Sequence, residues 1–151
     1  MTNKITIPNV ILLAEVERML KEGINVTLRT KGNSMLPFIH GGKDSVILTG
    51  TFLLRKGDIV LAKTDKENYV LHRIIEIDNQ TVTLMGDGNL RGTEICHTEN
   101  ICGKVITILQ NGKKIDPYSR KARLLSVYWF RLLPIRKYLL AIYRTICPQE
   151  Q

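Results

Sequence analysis

Three polar side chains in the sequence are of types that take part in nucleophilic or acid–base chemistry. Ser34 stands in the stretch KGNSMLPFIHGG, residues 31–42, where glycines flank a bend. A serine hydroxyl is a poor nucleophile until a nearby base removes its proton. His72 is a suitable base, because the unperturbed pKa of histidine is about 6.5. The third residue, Asp87, is followed by glycine and asparagine in a predicted turn.

Each of these residues also has a purely structural interpretation. Serine is common in turns that contain glycine and asparagine, and so is aspartate. Strand alternation places His72 on the same face as Val70 and Ile74, which allows a hydrogen-bonded core histidine instead of a base. From the residues alone, both interpretations stay open for Ser34, His72 and Asp87.

Short strands are the elements that must position these side chains. Alternating apolar and polar residues predict strands in six segments: INVTLRT, DSVILTG, DIVLAKT, NYVLHRIIEID, TVTLMG and GKVITIL. Turn residues separate them, and Asn111-Gly112 predicts a last hairpin-like turn. Closely spaced strands without intervening helices indicate a curved, antiparallel, barrel-like sheet. The predicted fold is therefore mainly β, of the α+β class.

Helices are predicted at both ends of the chain. The segment NVILLAEVERMLKEG follows Pro8 and ends at Gly23, a natural helix stop. One broad apolar face is expected on it: Ile11, Leu12, Val16, Met19 and Leu20. The segment SRKARLLSVYWFRLLPIRKYLLAIYRTI predicts two short basic helices interrupted near Pro134. We therefore expect an amphipathic N-terminal helix packed on the domain over 1–23, a β domain over 24–117 and a basic helical tail over 118–151.

Four boxes, in order along the chain, resemble those of type I signal peptidases and of the related self-cleaving serine proteases of the SOS-repressor type. The boxes are GNSMLP (32–37), GDIVL (57–61), YVLHRI (69–74) and MGDGN (85–89). The similarity covers residues 26–106, most of the β-rich part. It implies a serine endopeptidase that cleaves an extended segment of a protein or leader peptide, after small residues.

The resemblance also implies roles for the three polar residues. Ser34 matches the nucleophile. His72 falls where bacterial signal peptidases and the self-cleaving repressors have a lysine base, and where the endoplasmic-reticulum and archaeal type has histidine. Asp87 matches an aspartate that supports the active site in the histidine type. The histidine subtype is therefore the one that this sequence resembles.

Substrate and oxyanion contacts are predicted around the serine. Met35 and Pro37 are expected to shape a substrate groove, with plain core packing as the alternative for Met35. The backbone N–H of Ser34, with Asn33, would bind the oxyanion of the tetrahedral intermediate. Gly32 departs from the family pattern, because many relatives have a serine there whose hydroxyl helps the oxyanion hole.

Charge and cysteine content limit the remaining possibilities. The three cysteines are too few for a disulfide framework, and CHTENIC (96–102) lacks the ligand spacing of a zinc site. We expect reduced thiols, no metal and no cofactor. No secretory signal or membrane-spanning segment is apparent in the sequence. We therefore expect a cytoplasmic protein. Among the three histidines, only His72 lies in a motif, and we expect His40 and His97 to be ordinary surface or turn residues.

The basic tail accounts for nearly all of the net charge of +8, since Arg120 to Arg144 contains seven cations and no acid. Its aromatic residues and cations suit an anionic membrane surface, which would be the inner leaflet. Alternatively, its apolar side packs on the sheet or on a partner. Nucleic acid is the least favoured partner, because no binding motif accompanies the charge. The rival for the whole chain is a non-catalytic binding domain that uses this tail on a membrane or partner.

Overall fold

The computed structural model describes residues 9–147, which form a curled antiparallel half-barrel with helices before and after it. The elements are α1 (Asn9–Lys21), β1 (Val26–Arg29), β2 (Ser45–Thr49), β3 (Ile59–Lys63), β4 (Tyr69–Asp78), β5 (Thr81–Met85), β6 (Glu94–His97), β7 (Ile101–Gln110), β8 (Lys113–Ile115), α2 (Arg120–Arg131) and α3 (Arg136–Ile146). The strand order is β1-β2-β7-β3-β4-β5-β6, with β8 paired to β7. The mainly β, α+β fold class is confirmed.

All six predicted strand segments form strands, and the sheet contains two further strands. β8 follows the predicted hairpin turn, in which Asn111 and Gly112 have φ values of 50° and 74°. Positive φ at both central residues is required by the type I′ turn, whose twist matches that of the two strands it joins. β6 was not predicted. It is a four-residue edge strand that pairs with β5 and leaves Ile95 exposed.

Helix α1 covers one face of the sheet, with its buried side facing β7 and β1. Leu13, Val16 and Leu20 are buried at helical spacing. The predicted apolar face was wrong at Ile11, which is 61% exposed, because the helix is turned so that Leu13 points inward. Gly23 follows the helix with φ of 80°, as expected for a glycine after the last turn. Residues 1–8 of the predicted N-terminal segment lie outside the described residues.

Strand β3 lies between two apolar clusters and is buried from Ile59 to Ala62. The first cluster contains the buried side of α1 together with Met35, Ile39 and residues of β2, β3 and β7. The second contains residues of β3, β4, β5 and β6. Because both of its faces are covered, β3 has a continuous apolar sequence instead of an alternating one.

The C-terminal tail forms two helices, as predicted, joined by a 3₁₀ turn over Leu133–Ile135 that contains Pro134. Ser119 caps α2, its hydroxyl accepting a hydrogen bond from the N–H of Ala122 at 3.2 Å. Within residues 9–147 no helix has the length and apolar character needed to cross a membrane. Residues 148–151, the end of the predicted tail, are outside the described part of the chain.

Candidate active site

Ser34 lies at the start of a tight helical turn that follows β1. The N–H of Leu36 donates to the carbonyl of Asn33 at 3.3 Å, and the N–H of Ile39 donates to the carbonyl of Met35 at 3.0 Å. Met35 and Ile39 are buried in the cluster under α1 and anchor the turn. Ser34 itself is half-buried, and its hydroxyl makes no hydrogen bond within residues 9–147. The backbone therefore fixes the serine while its Oγ remains free.

Gly32, where many relatives have serine, has a backbone reason to be glycine. Its φ is 73°, in the left-handed region that residues with a Cβ rarely adopt. The two ends of the bend also cross here, because a Cβ on Gly41 would lie 1.8 Å from the Gly32 carbonyl oxygen. The bend that presents Ser34 therefore depends on close backbone packing at both glycines.

A second turn, residues 86–89, packs directly on the Ser34 backbone. The N–H of Gly88 donates to the carbonyl of Ser34 at 2.8 Å. A Cβ on Gly86 would lie 2.4 Å from that same carbonyl oxygen, and a Cβ on Gly88 would lie 2.6 Å from the carbonyl oxygen of Asn33. Only glycine at these two positions permits the observed contact between the turn and the bend that contains Ser34, residues 31–42, which we call the serine bend.

The register of β4 and β5 places His72 beside this contact. Arg73 of β4 pairs with Met85 of β5 at the last step of their ladder. The next residues beyond that step are His72 on β4 and Gly86 after β5. Cβ positions directly opposite each other in an antiparallel pair are about 4.5–5.5 Å apart. Since the Ser34 carbonyl fills the space above Gly86, the fold brings the serine bend to the edge where His72 lies. Within residues 9–147 no hydrogen bond joins the Ser34 hydroxyl to His72.

His72 is buried and is oriented by Glu94. Its Nδ1 lies 2.8 Å from Oε2 of Glu94. Glu94 begins β6 and pairs with Leu84, which in turn pairs with Ile74, two residues from His72 on the same face of β4. A histidine that donates from Nδ1 to a carboxylate has the Nε2 lone pair available as a base. The hydrogen bonds of His72 among the described residues involve Nδ1 only, which leaves Nε2 for a substrate or nucleophile proton.

Glu94 was not among the predicted site residues. The sequence signal that could have identified it is weak, because Glu94 is one of two glutamates between the MGDGN box and the next predicted strand and lies in no motif. Its role depends on the pairing of an edge strand that was itself not predicted.

Asp87 is paired with Arg73. Its two carboxylate oxygens accept hydrogen bonds from Nε and Nη2 of Arg73 at 2.8 and 2.7 Å, and both side chains are largely buried. Burial is the largest single influence on the pKa of Arg73 and acts to lower it, but the charge and hydrogen bonds of Asp87, with smaller contributions from Tyr118 and Asp58, together raise that pKa. No hydrogen bond links Asp87 to His72 in the described part of the chain. Asp87 thus fastens the 86–89 turn to β4, and its predicted support of the site remains a prediction.

The predicted substrate and oxyanion residues occupy different environments. Met35 is buried in the cluster under α1. Pro37 lines a cavity of about 380 Å³ between the serine bend, Arg73 and α2. Asn33 is exposed next to Ser34. The roles of Met35, Pro37, Asn33 and the Ser34 N–H remain predictions.

A small cleft lies beside β1, where the chain enters the serine bend. Its volume is about 120 Å³, and it is lined by the end of β1, the start of β4 and α1, with Leu28, Thr30, Tyr69 and Leu71 among its residues. Among the described strands, β1 pairs with β2 alone, so its other edge is open. Burial and the hydrogen bond that Tyr69 donates to Glu17 at 2.7 Å raise the pKa of Tyr69 to about 12.

His40, expected to be an ordinary turn or surface residue, is half-buried and connects the serine bend to α3. Its Nδ1 lies 3.0 Å from Oδ2 of Asp44, and its Nε2 is hydrogen-bonded to the hydroxyl of Tyr143. His97 is exposed on β6, as expected. The role of His40 was missed because its partner Tyr143 lies far away in the sequence.

The sequence model of one protein family, described as Peptidase S24-like, matches residues 10–106. This range is more than half of the chain and includes Ser34, His72, Asp87 and Glu94, whereas α2 and α3 lie beyond it. No curated protein matches the chain.

Proposed function

We propose that this chain, which belongs to the Peptidase S24-like family, is a serine endopeptidase with a Ser34–His72 catalytic pair. The family supports a peptidase-type fold and a protein substrate. The observation that carries the finer proposal is the 2.8 Å contact between Nδ1 of His72 and Glu94, on the edge where the Ser34 backbone packs. A nucleophile, a base and a group that orients the base are the three parts that such chemistry needs.

In the proposed mechanism, Nε2 of His72 removes the proton of the Ser34 hydroxyl as Oγ attacks the substrate carbonyl. The imidazolium that forms is stabilised by the carboxylate of Glu94. It then gives its proton to the leaving amine, and the acyl-enzyme is hydrolysed by a water that His72 activates. The proposed base is a histidine, as in the histidine subtype that the sequence resembles. Asp87 acts indirectly, because its ion pair with Arg73 fixes the 86–89 turn.

The oxyanion would be bound next to the nucleophile. The Ser34 N–H and the neighbouring Asn33 are the donors closest in sequence to the nucleophile, and we propose that they bind the oxygen of the attacked substrate carbonyl. The exposed position of Asn33 allows its side chain to reach a bound substrate.

The substrate is proposed to be an extended segment of a protein or leader peptide. An extended peptide can add to an open sheet edge through main-chain hydrogen bonds, with side-chain pockets giving specificity. The free edge of β1 runs towards Ser34, and the cleft with Leu28 and Tyr69 lies beside it. Pro37, three residues after the nucleophile, is expected to contact the substrate as well.

Labelling with a serine-directed acylating or phosphonylating probe tests the proposal. We expect one adduct per chain in the wild type, none in Ser34→Ala and little in His72→Ala. Ser126→Ala, which removes a hydroxyl from α2 that bonds only within its own helix, is the matched control and should label like the wild type. An unlabelled wild type, or equal labelling of Ser34→Ala, would refute the peptidase proposal.

A specific observation also favours a second, non-catalytic function at the tail. The outer sides of α2 and α3 expose apolar and aromatic residues at helical spacing: Leu124, Val127, Tyr128, Tyr138, Ile142 and Ile146. Residues 117–147 contain several arginines and lysines and no acid. Exposed apolar stripes beside cations are typical of a helix that lies on an anionic membrane. We therefore propose peripheral contact of this surface with an anionic membrane, at the inner leaflet.

Liposome flotation tests the membrane proposal independently of catalysis. We expect the protein to float with anionic vesicles at low salt and to remain behind with neutral vesicles. Replacing Tyr138 and Ile142 by serine should weaken flotation, whereas replacing Ile11, an exposed apolar residue of α1, should not. Equal recovery with anionic and neutral vesicles would exclude this function.

A further inference from the structure

The inner sides of α2 and α3 contact the turn that packs on Ser34, although both helices lie outside the range matched by the family. We propose that these helices hold the 86–89 turn in place and that Trp129 and Arg136 are positioning residues for the site. The proposal rests on the proposed peptidase function for its effect on chemistry, but the hold on the turn is a separate, measurable property.

Trp129 connects the helix to both segments of the site. Its Nε1–H donates to the carbonyl oxygen of Asp87 at 2.6 Å. Its ring meets Phe38, in the serine bend, edge-on at a centroid distance of 6.4 Å and an interplanar angle of 88°. Edge-to-face pairs of this kind are favourable beyond the area they bury. One side chain of α2 therefore contacts the 86–89 turn and the serine bend together.

Arg136, the first residue of α3, makes the second connection. It is 2% exposed, and its Nη1 and Nη2 donate to the carbonyls of Asn89 at 3.1 Å and of Trp129 at 3.2 Å. Its guanidinium also lies 5.2 Å from the centre of the Trp129 ring. The turn is thus held at Asp87 by one residue and at Asn89 by the other.

The environment of Arg136 suggests that stability is not the reason for its burial. None of its hydrogen bonds within residues 9–147 goes to a carboxylate, and its buried Nε has no partner there. Burial lowers the pKa of Arg136, which reflects the cost of enclosing its charge. Even a buried ion pair can often be replaced by well-packed apolar residues without loss of stability, and Arg136 lacks the carboxylate partner that would offset the cost of burying its charge. Fixing the carbonyl of Asn89, and with it the turn, is what this arrangement achieves.

The held turn connects the helices to the nucleophile. The N–H of Gly88, between the two carbonyls that the helices hold, donates to the Ser34 carbonyl. If Asp87 and Asn89 lose these donors, the turn opens more often and the Ser34 backbone loses its support. Opening shows directly as faster hydrogen exchange at the Gly88 amide.

The test compares Trp129→Phe and Arg136→Met with the wild-type chain. Phenylalanine keeps an aromatic ring but removes the donor to Asp87, and methionine fills similar space without the donors to Asn89 and Trp129. Thr145→Ala, which removes an exposed hydroxyl that bonds only within α3, is the matched control. We measure exchange of the Gly88 amide by NMR, the rate of probe labelling at Ser34 and the thermal midpoint.

We expect both variants to exchange the Gly88 amide roughly three- to tenfold faster, in line with the loss of one or two hydrogen bonds. Labelling should slow by a similar factor, whereas Arg136→Met should keep the wild-type thermal midpoint and Thr145→Ala should change none of the three measurements. Arg136→Lys, which keeps a cationic donor, should retain part of the protection that Arg136→Met loses.

Unchanged exchange at Gly88 in folded Arg136→Met and Trp129→Phe would overturn the proposal, and so would unchanged labelling in both. If Trp129→Phe does not fold, Arg136→Met decides alone. Faster exchange in a protein whose wild type is not labelled would support the hold on the turn and refute only the peptidase function.

Discussion

Replacing Glu94 by glutamine tests whether this residue orients His72 and stabilises its charged form. The variant keeps the shape of the side chain but removes the negative charge 2.8 Å from Nδ1. Glutamine can also donate its amide N–H to Nδ1. The imidazole proton would then lie on Nε2, and Nε2 could not accept the proton of the serine.

The expected size of the effect follows from burial. A hydrogen bond to a charged group contributes about 1.5–3 kcal/mol. The Glu94 side chain is 31% exposed, while that of His72 is 7% exposed. Partial screening by solvent favours the lower end of the range, and about 1.5 kcal/mol corresponds to a rate loss of roughly tenfold.

The assay is the second-order rate of probe labelling at Ser34, measured on folded protein. Glu99→Gln is the matched control, since Glu99 is an exposed carboxylate just after β6 and the variant carries the same charge change. We expect a loss of roughly tenfold for Glu94→Gln and none for Glu99→Gln. Equal rates for wild type, Glu94→Gln and Glu99→Gln would refute the role of Glu94, and equal losses in both variants would assign the effect to net charge.

Three further predictions concern the supports of the site and the buried thiol. Asp87→Asn leaves Arg73 buried without its carboxylate and should lower the free energy of unfolding by about 3 kcal/mol, as measured by urea denaturation. Gly86→Ala should slow probe labelling far more than Gly103→Ala, because its Cβ would meet backbone at 2.4 Å whereas that of Gly103 would meet the end of a leucine side chain at 2.7 Å. Burial raises the pKa of Cys102 from 9.0 to about 12. Its stabilising contribution is therefore complete below the unfolded pKa and is lost as pH rises through the folded pKa. Between about pH 8 and pH 10.5 the wild type should lose about 2 kcal/mol more unfolding free energy than Cys102→Ala; parallel curves would contradict this.

Local patterns predicted most of the sheet, because six strands alternate or run apolar over at least four residues and are bounded by turn residues. β6 was missed for a physical reason: the apolar and polar residues of this short strand do not mark the face that is buried. Its Ile95 is exposed and its Cys96 buried, so the more apolar residue faces outward. Without β6 there was no basis for placing Glu94 near His72.

The site was predictable where a residue lies in a motif and unpredictable where it depends on distant pairing. Ser34 and His72 could be proposed from short boxes, and the register of β4 and β5 brings their segments together. The pairing of Asp87 with Arg73 and the contacts of Trp129 and Arg136 depend on how the chain folds back on itself. No local sequence pattern encodes them.

Cleavage of an extended peptide library tests the central claim most directly. Purified protein is incubated with a mixture of unstructured peptides, and new N-termini are identified by mass spectrometry. We predict hydrolysis at a restricted set of sites, mainly after small residues, by the wild type and by Ser126→Ala, and no hydrolysis by Ser34→Ala or His72→Ala. Hydrolysis that persists in Ser34→Ala, or its absence from the wild type under conditions where the chain is folded, would contradict the account.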